Sequence, residues 1–293
     1  MTDINKKYNA KILLFGEYTV TLGSGALAIP YDEYNGHWNF GVGHEVSKQG
    51  LRKLADYVDH SPELNAKYNL TDFYEAFESG LYFASEIPTG YGLGSSGAVV
   101  AAFYDTYSYS KNREPVLLKH ELSLLESAFH GASSGIDPLV SLLNVPILIG
   151  DQYEISTPKI DKIFYNMFLH DTGISRQTGP LVSLFKSKLE NDNNFKNAVE
   201  QLSAINKAAI QSYIMGDRIS LFIHFDWISK IQYDFFSEMI PEPFRKLWKT
   251  GLDSDVYKLK LCGAGGGGFL MGIGREFIRL PDELNGFNTS FFI

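Results

Sequence analysis

Pro88-Thr89-Gly90-Tyr91-Gly92-Leu93-Gly94-Ser95-Ser96-Gly97 is the stretch on which the reading of this 293-residue chain turns. Its glycines let the backbone turn tightly and come close to an anion. A helix predicted from about Ser96 points its unpaired N–H groups and the positive end of its dipole at the same place. The segment therefore reads as a phosphate cradle, and a nucleoside triphosphate is the fitting guest. The bland alternative is a helix-opening turn in which Ser95 or Ser96 merely caps the helix. Three glycines and two serines within residues 92–97 exceed what a cap requires, and hydroxyls beside phosphate-binding amides suit a magnesium ion. Residues 92–97 also satisfy G-x-G-x-x-G. A dinucleotide fingerprint, however, opens its domain and has an acid at a strand end about twenty residues on, whereas Glu114 here precedes a helix. No Walker A sequence is present.

Composition narrows the class. The chain is 44% hydrophobic and 20% charged, as in ordinary globular proteins, and its length suits two domains. Cys262 is the single cysteine, so no intramolecular disulfide and no cysteine-pair metal site can form, which fits a reducing compartment. The most apolar stretch, 138–149, is broken by Ser141, Asn144 and Pro146 and is too short to span a bilayer. Residues 1–9 are polar, unlike a signal peptide. The expectation is a cytoplasmic protein without a membrane partner. A net charge of −8 and the lack of a Lys/Arg cluster argue against nucleic acid.

Along the chain, residues 11–15 and 26–29 read as strands, the second stopping at Pro30. Helices are predicted near 48–58 and 71–81, from 96 to 107, and from Pro115 to a stop at Gly131. A strand is expected over 162–169. Helical periodicity dominates 178–252, and 256–261 with 269–273 read as two strands around a glycine row. Alternating elements give an α/β or α+β protein.

Several residues invite chemistry. Glu126 and Asp137 flank His130-Gly131-Ala132-Ser133-Ser134-Gly135-Ile136, whose small residues let the backbone leave the helix end and return as a turn and strand. Each acid alone also reads as a solvated helix charge or a turn residue. Lys11 lies in an apolar strand, where a lysine is costly unless it meets an anion, although strand-end lysines also snorkel. Glu17 reads equally as a turn acid. Gly263-Ala264-Gly265-Gly266-Gly267-Gly268 loses much backbone entropy on folding, so something approaches it closely; ligand support ranks above a purely steric reason.

Taken in order, Lys11-Ile12-Leu13-Leu14-Phe15-Gly16-Glu17-Tyr18, the Gly92 loop, His130 to Asp137 and the Gly263 loop resemble the signature set of the GHMP small-molecule kinases. Within that family the His-Gly-x-x-Ser-Gly-Ile-Asp segment, Asp171-Thr172-Gly173 with Arg176 and Thr178, and Lys258-Leu259-x-Leu261-x-Gly263 are similar to the mevalonate kinases. The resemblance implies an α+β fold of the two-domain GHMP kinase type. An N-terminal α/β nucleotide- and phosphate-binding domain would cover 1–158. A C-terminal domain of helices over an antiparallel sheet would cover 159–293, with a cleft between the two. It further implies ATP-dependent phosphorylation of the primary hydroxyl of mevalonate in isoprenoid precursor synthesis, with ATP and Mg2+ and with scope for a homodimer.

By the same resemblance Asp137 and Lys11 are catalytic. Gly90, Gly92, Leu93, Gly94, Ser95, Ser96 and Gly97 hold the nucleotide phosphates, and Ser96 with Glu126 holds the metal. Glu17, Tyr18, Arg176, Thr178 and Gly265 face the substrate. Tyr18 stands where mevalonate kinases commonly have histidine, and Gly97 where alanine is usual; phosphomevalonate kinases are similar at both places. Phosphomevalonate kinase, another sugar or amino-alcohol kinase, a phosphorylating decarboxylase and a silent ligand sensor on the same scaffold are the alternatives.

Overall fold

The computed structural model describes residues 3–292 except 113, 132, 151–153, 161–165, 176–177, 276–278 and 285–288, and leaves the side chains of His130, Thr178, Phe291 and Phe292 undescribed. Two compact units emerge. The first holds residues up to Ile12, Ala28–Pro88 and Leu93–Ile147, and the second holds Leu13–Leu27, Thr89–Gly92 and the chain from Leu148 on. This division differs from a single boundary at 158/159, because early residues pack among late helices. Phe15 meets Tyr213 and Phe225 edge-on at 6.3 and 6.4 Å, and Tyr18 stacks on Phe185 at 4.6 Å.

The chain runs β1 (Tyr8–Phe15), β2 (Ala26–Phe40), α1 (Glu45–Asp59), α2 (Pro62–Asn65), α3 (Leu70–Glu78), β3 (Leu81–Ser85), α4 (Ser95–Tyr107), α5 (Pro115–His130), α6 (Ile136–Leu143) and β4 (Ile147–Ile149). β3 pairs antiparallel with β2 from Gly36 opposite Ser85 to Phe40 opposite Leu81. Contrary to expectation, β2 runs through Pro30 for 15 residues, since one missing N–H does not end a long strand whose other residues keep their pairing. Helix α1 buries Leu51, Leu54, Ala55 and Val58, a helical stripe. Ala98, Ala101 and Ala102 of α4 are fully buried, so its backbone can come close to its neighbours. Rings fill the space that remains: Trp38 meets Phe83 edge-on at 5.4 Å and Phe73 meets Tyr107 at 5.3 Å. Glu114, weighed above as a ribose acid, accepts from the amides of Val116 and Leu117 at 3.0 Å and so caps α5.

The second unit continues with β5 (Ile155–Ser156), β6 (Met167–Asp171), α7 (Thr178–Asn191), α8 (Asn193–Met215), α9 (Arg218–Phe235), α10 (Arg245–Leu252), β7 (Tyr257–Leu261), β8 (Phe269–Gly274) and β9 (Thr289–Phe292). Its sheet has the order β7-β8-β6-β9, antiparallel throughout. The expected strand over 162–169 falls partly outside the described residues; β6 is its observed part. The expected helical block and both strands around the glycine row are present. Among the described residues no helix is long and apolar enough to cross a membrane.

One cross-strand pair shows how tightly this sheet is packed. Gly272 sits opposite Phe168, and a Cβ on it would lie 2.0 Å from the ring. Phe168 is fully buried and has little room to retreat. Gly272→Ala is expected to destabilise the protein by about 1–3 kcal/mol, read as a lower urea midpoint with an unchanged slope. An unchanged midpoint would show that the ring moves freely.

Candidate active site

Two helix starts meet in the first unit. Helix α4 begins after Gly94, which has a left-handed backbone (φ 77°) and no side chain capping the first turn. Ser95 and Ser96 lie inside the helix and do not cap it, which removes the bland reading of the loop. The loop is tied to β1 by the Lys11 amide, which donates to the Leu93 carbonyl at 2.9 Å. Helix α6 begins after Gly135 (φ 73°), and Asp137 lies in its first turn, not on the strand expected there. Residues 136–143 are apolar at helical spacing, and the helix buries Ile136, Pro138, Leu139, Val140 and Ser141.

The two starts touch through Gly97. A Cβ there would lie 2.8 Å from the carbonyl carbon of Asp137 and 2.8 Å from the nitrogen of Pro138. A Cβ on Gly94 would lie 3.1 Å from Lys11 Cγ and 3.4 Å from Asp137 Cβ. Lys11 is buried and its Nζ lies 3.0 Å from Asp137 Oδ1, while 31% of the Asp137 side chain stays open to solvent. The ion pair thus presents one accessible carboxylate beside the first turn of α4.

Glu126, near the end of α5, completes the group. It is 4% exposed, accepts from Ser96 Oγ at 3.1 Å through Oε1, and accepts a short hydrogen bond from Ser133 Oγ through Oε2. No lysine or arginine among the described residues lies within ion-pair distance of it. Burial pushes the Glu126 carboxyl up to about 7; the charge of Asp137 pushes the same way, against the two hydroxyl donors and Lys11. A buried carboxylate with two hydroxyls is an oxygen-only donor set of the kind a hard divalent cation takes, and such a cation would relieve the stored repulsion. The described residues contain no group of three or more His, Cys, Asp or Glu that could hold a metal alone, so phosphate oxygens would have to supply the other ligands. Ser133 was missed in the sequence; its signal was a second hydroxyl inside the segment that joins the two acids.

The other expected site residues fall in the second unit or outside the description. Gly90 and Gly92 have left-handed backbones (φ 82° and 76°) that form the turn before α4. Glu17 is buried and paired with Lys260. The Tyr18 hydroxyl donates to the Ala264 carbonyl at 2.6 Å. Arg176 lies outside the described residues, as does the Thr178 side chain. The glycine row packs closely: a Cβ would lie 2.5 Å from the Met239 carbonyl oxygen at Gly265, 2.3 Å from that of Ile174 at Gly267, and 2.9 Å from the Tyr91 backbone at Gly268. The protein's own backbone approaches these three glycines.

Residues 48–144 match the family model described as GHMP kinases N terminal domain. A mevalonate kinase of Pyrococcus abyssi (strain GE5 / Orsay) is 32% identical over 164 residues, 46% of this chain and 47% of that protein, so the match spans about half the length of that relative. The structure of L. major mevalonate kinase in complex with R-mevalonate aligns with 97% of this chain and 92% of its own at a TM-score of 0.63 and 19% identity. That of Streptococcus pneumoniae phosphomevalonate kinase aligns over 92% and 91% at a TM-score of 0.65 and 16% identity. Residues 48–144 are thus similar to the GHMP kinase N-terminal domain, and the chain shares the fold of these solved kinases. Within that class its sequence similarity falls on proteins named mevalonate kinase.

The raised Glu126 carboxyl sets a stability trend. Glu126 binds its proton more tightly folded than unfolded, so its contribution favours the fold at low pH and is lost as pH rises through about 7. In metal-free buffer the wild type should lose stability relative to Glu126→Gln over that rise, measured as urea midpoints from about pH 4.5 to pH 8. Parallel curves for the two proteins would remove the buried-carboxylate assignment.

Proposed function

We propose that the protein is an ATP-dependent kinase that phosphorylates the primary hydroxyl of mevalonate. The observation that carries this reading is the Lys11–Asp137 pair set beside the start of α4, with Ser96 in the first turn of that helix donating to Glu126 of α5. The backbone amides of Ser95, Ser96 and Gly97 receive the phosphates, with the helix dipole adding to their pull. Ser96 and Glu126 would hold Mg2+, which would supply positive charge to the phosphate groups.

Asp137 accepts the proton of the acceptor hydroxyl as the new oxygen–phosphorus bond forms and the bond to the leaving diphosphate breaks. A carboxylate is too weak a base to ionise an alcohol beforehand, but the loose transition state of phosphoryl transfer lets the proton leave late. Orientation of the hydroxyl by Asp137 therefore contributes more than its basicity. Lys11 holds Asp137 in place through the ion pair and offers positive charge to the oxygens of the transferred group.

Phosphomevalonate would add a second phosphate and call for further free basic groups. Arg52 and Lys53, the adjacent basic pair within residues 31–86, instead lie over aromatic rings, Arg52 over Phe77 at 5.5 Å and Lys53 over Phe129 at 5.9 Å. That engagement favours the unphosphorylated acceptor.

The reading is tested by coupled ADP release with mevalonate, phosphomevalonate, galactose and homoserine side by side. Mevalonate is expected to give the highest kcat/KM, and preference for any other acceptor would overturn the substrate assignment. Asp137→Asn should lower kcat by about 10²–10⁴-fold while nucleotide affinity, read by titration calorimetry, stays within about twofold. Near-normal turnover at saturating acceptor would exclude Asp137 as proton acceptor. Glu126→Gln should raise the half-saturating Mg2+ concentration by about tenfold or more. An unchanged metal titration would take Glu126 out of the metal site.

A further inference from the structure

We propose that Ser133 is a positioning residue whose hydroxyl fixes the Glu126 carboxylate for metal binding and ties it to the turn that opens α6. The metal part rests on the assignment of Glu126 as a metal ligand given above; the tie to the turn does not. All the residues involved belong to the first unit. Ser133 is half-buried in the segment between α5 and α6, and its hydroxyl can give one hydrogen bond while accepting others. The proton goes to Glu126 Oε2, and the oxygen accepts from the Gly135 amide at 3.0 Å. A serine that only shaped its own turn would make the second of these bonds and leave its proton to solvent. Here the proton is donated to a buried carboxylate of another element.

Glu126 needs such a hold. The last torsion of a glutamate is broad, so the side chain by itself does not fix the plane of its carboxylate. Ser96 Oγ of α4 donates to Oε1 at 3.1 Å, and Ser133 Oγ donates to Oε2. Hydroxyls from two separate segments therefore engage the two oxygens. Ser96 is itself an expected ligand; Ser133 reaches the other oxygen and orients it. Carboxylates that ligate a metal are commonly hydrogen-bonded in this way, and loss of such a partner lowers metal affinity by about 10–100-fold.

The second bond of Ser133 leads to the helix that carries Asp137. Gly135 has a left-handed backbone (φ 73°), and its carbonyl accepts from the Leu139 amide at 3.2 Å as α6 begins. Its place is set against α5, where a Cβ on it would lie 2.3 Å from the Lys119 carbonyl oxygen and 3.0 Å from the Ser123 nitrogen. Residues three apart on a helix are neighbours on one face, so Ser123 and Glu126 lie together. The turn 133–135 thus runs along α5, with Gly135 on Lys119 and Ser123 and Ser133 on Glu126. Just beyond it Asp137 stands in the first turn of α6, its Oδ1 3.0 Å from Lys11 Nζ. One hydroxyl therefore links the carboxylate assigned to the metal with the start of the helix that presents the proton acceptor.

The test is a double-mutant cycle read by binding, with Mn2+ as the probe and ADP present, the free ion being followed by electron paramagnetic resonance. Ser133→Ala is expected to weaken Mn2+ binding by about tenfold, with ADP affinity in metal-free buffer within about twofold of the wild type. In the Glu126→Gln background the same change should cost less than about twofold, because Ser133 acts through that carboxylate. Hydrogen exchange at the Gly135 amide of the metal-free protein should speed up, while the amides in the middle of α4 are unchanged. A tenfold loss repeated in the Glu126→Gln background would overturn the proposal by showing that Ser133 acts on the ion without Glu126. Unchanged Mn2+ affinity, unchanged exchange at Gly135, or a parallel loss of metal-free ADP affinity would each overturn it as well. Binding needs no turnover: if no acceptor is phosphorylated the kinase reading fails, and the cycle still decides the role of Ser133. If the wild type takes up no Mn2+ with ADP present, Glu126 is not a metal ligand and the proposal falls with that assignment.

Discussion

The first unit depends on a backbone-to-backbone contact that only glycine permits. At Gly97 the first turn of α4 lies against the first turn of α6 so closely that a methyl group would press on the peptide between Asp137 and Pro138. Two helix starts brought together place two positive dipole ends side by side, and the Lys11 ammonium adds a full charge. In a chain of net charge −8 this is a local concentration of the opposite sign. Asp137 and Glu126 balance it from within. Glycine at position 97 is thus tied to the close approach of the Asp137–Pro138 peptide.

Buried lysines serve different ends in the two units. In β7 the run Tyr257-Lys258-Leu259-Lys260-Leu261 alternates as a half-exposed strand would, yet every residue is buried. Lys258 pairs with Asp226 at 2.9 Å and donates to the carbonyls of Gly251 and Ser254 at 3.0 and 2.7 Å; Lys260 pairs with Glu17. Such pairs contribute little net stability relative to apolar replacements of similar shape, but they tolerate few alternative arrangements. They pin β7 to the helix before it and to the turn after β1. Lys11 differs in that the side chain of its partner Asp137 is 31% open to solvent, whereas Lys260 and Glu17 are both fully buried.

Periodicity and glycine placement made much of this legible. Helices α1, α4 and α5 and the block from α7 to α10 follow from apolar spacing and capping residues, and Lys11, Asp137, Ser96 and Glu126 come together as their motifs imply. What failed to show has physical reasons. The path of β2 through Pro30 depends on which strand neighbours supply hydrogen bonds, a property of the sheet and not of the segment. Residues 136–143 are short and apolar, where helix and strand look alike; the left-handed Gly135, with the Lys119 carbonyl oxygen 2.3 Å from where its Cβ would be, settles them as a helix start. Ser133 acts through a hydrogen bond to a residue seven positions earlier, and no local spacing announces that. The interleaving of the two units follows from single aromatic residues, Phe15 and Tyr18, packing far along the chain.

The two glycine-rich loops show why composition alone cannot assign a ligand. Both carry left-handed backbones, and both look like close approach to a guest. In residues 265–268 the space a Cβ would need is filled by Met239, Leu181, Ile174 and Tyr91, so the approaching partner is the chain itself. At Gly94 and Gly97 it is filled by Lys11, Asp137 and Pro138, residues of the candidate site. The glycines of the first loop therefore set the distances to Lys11, Asp137 and Pro138, whereas those of the second let Met239, Leu181, Ile174 and Tyr91 come close. A glycine row indicates that something comes near; the identity of the neighbour decides whether the consequence is binding, catalysis or packing.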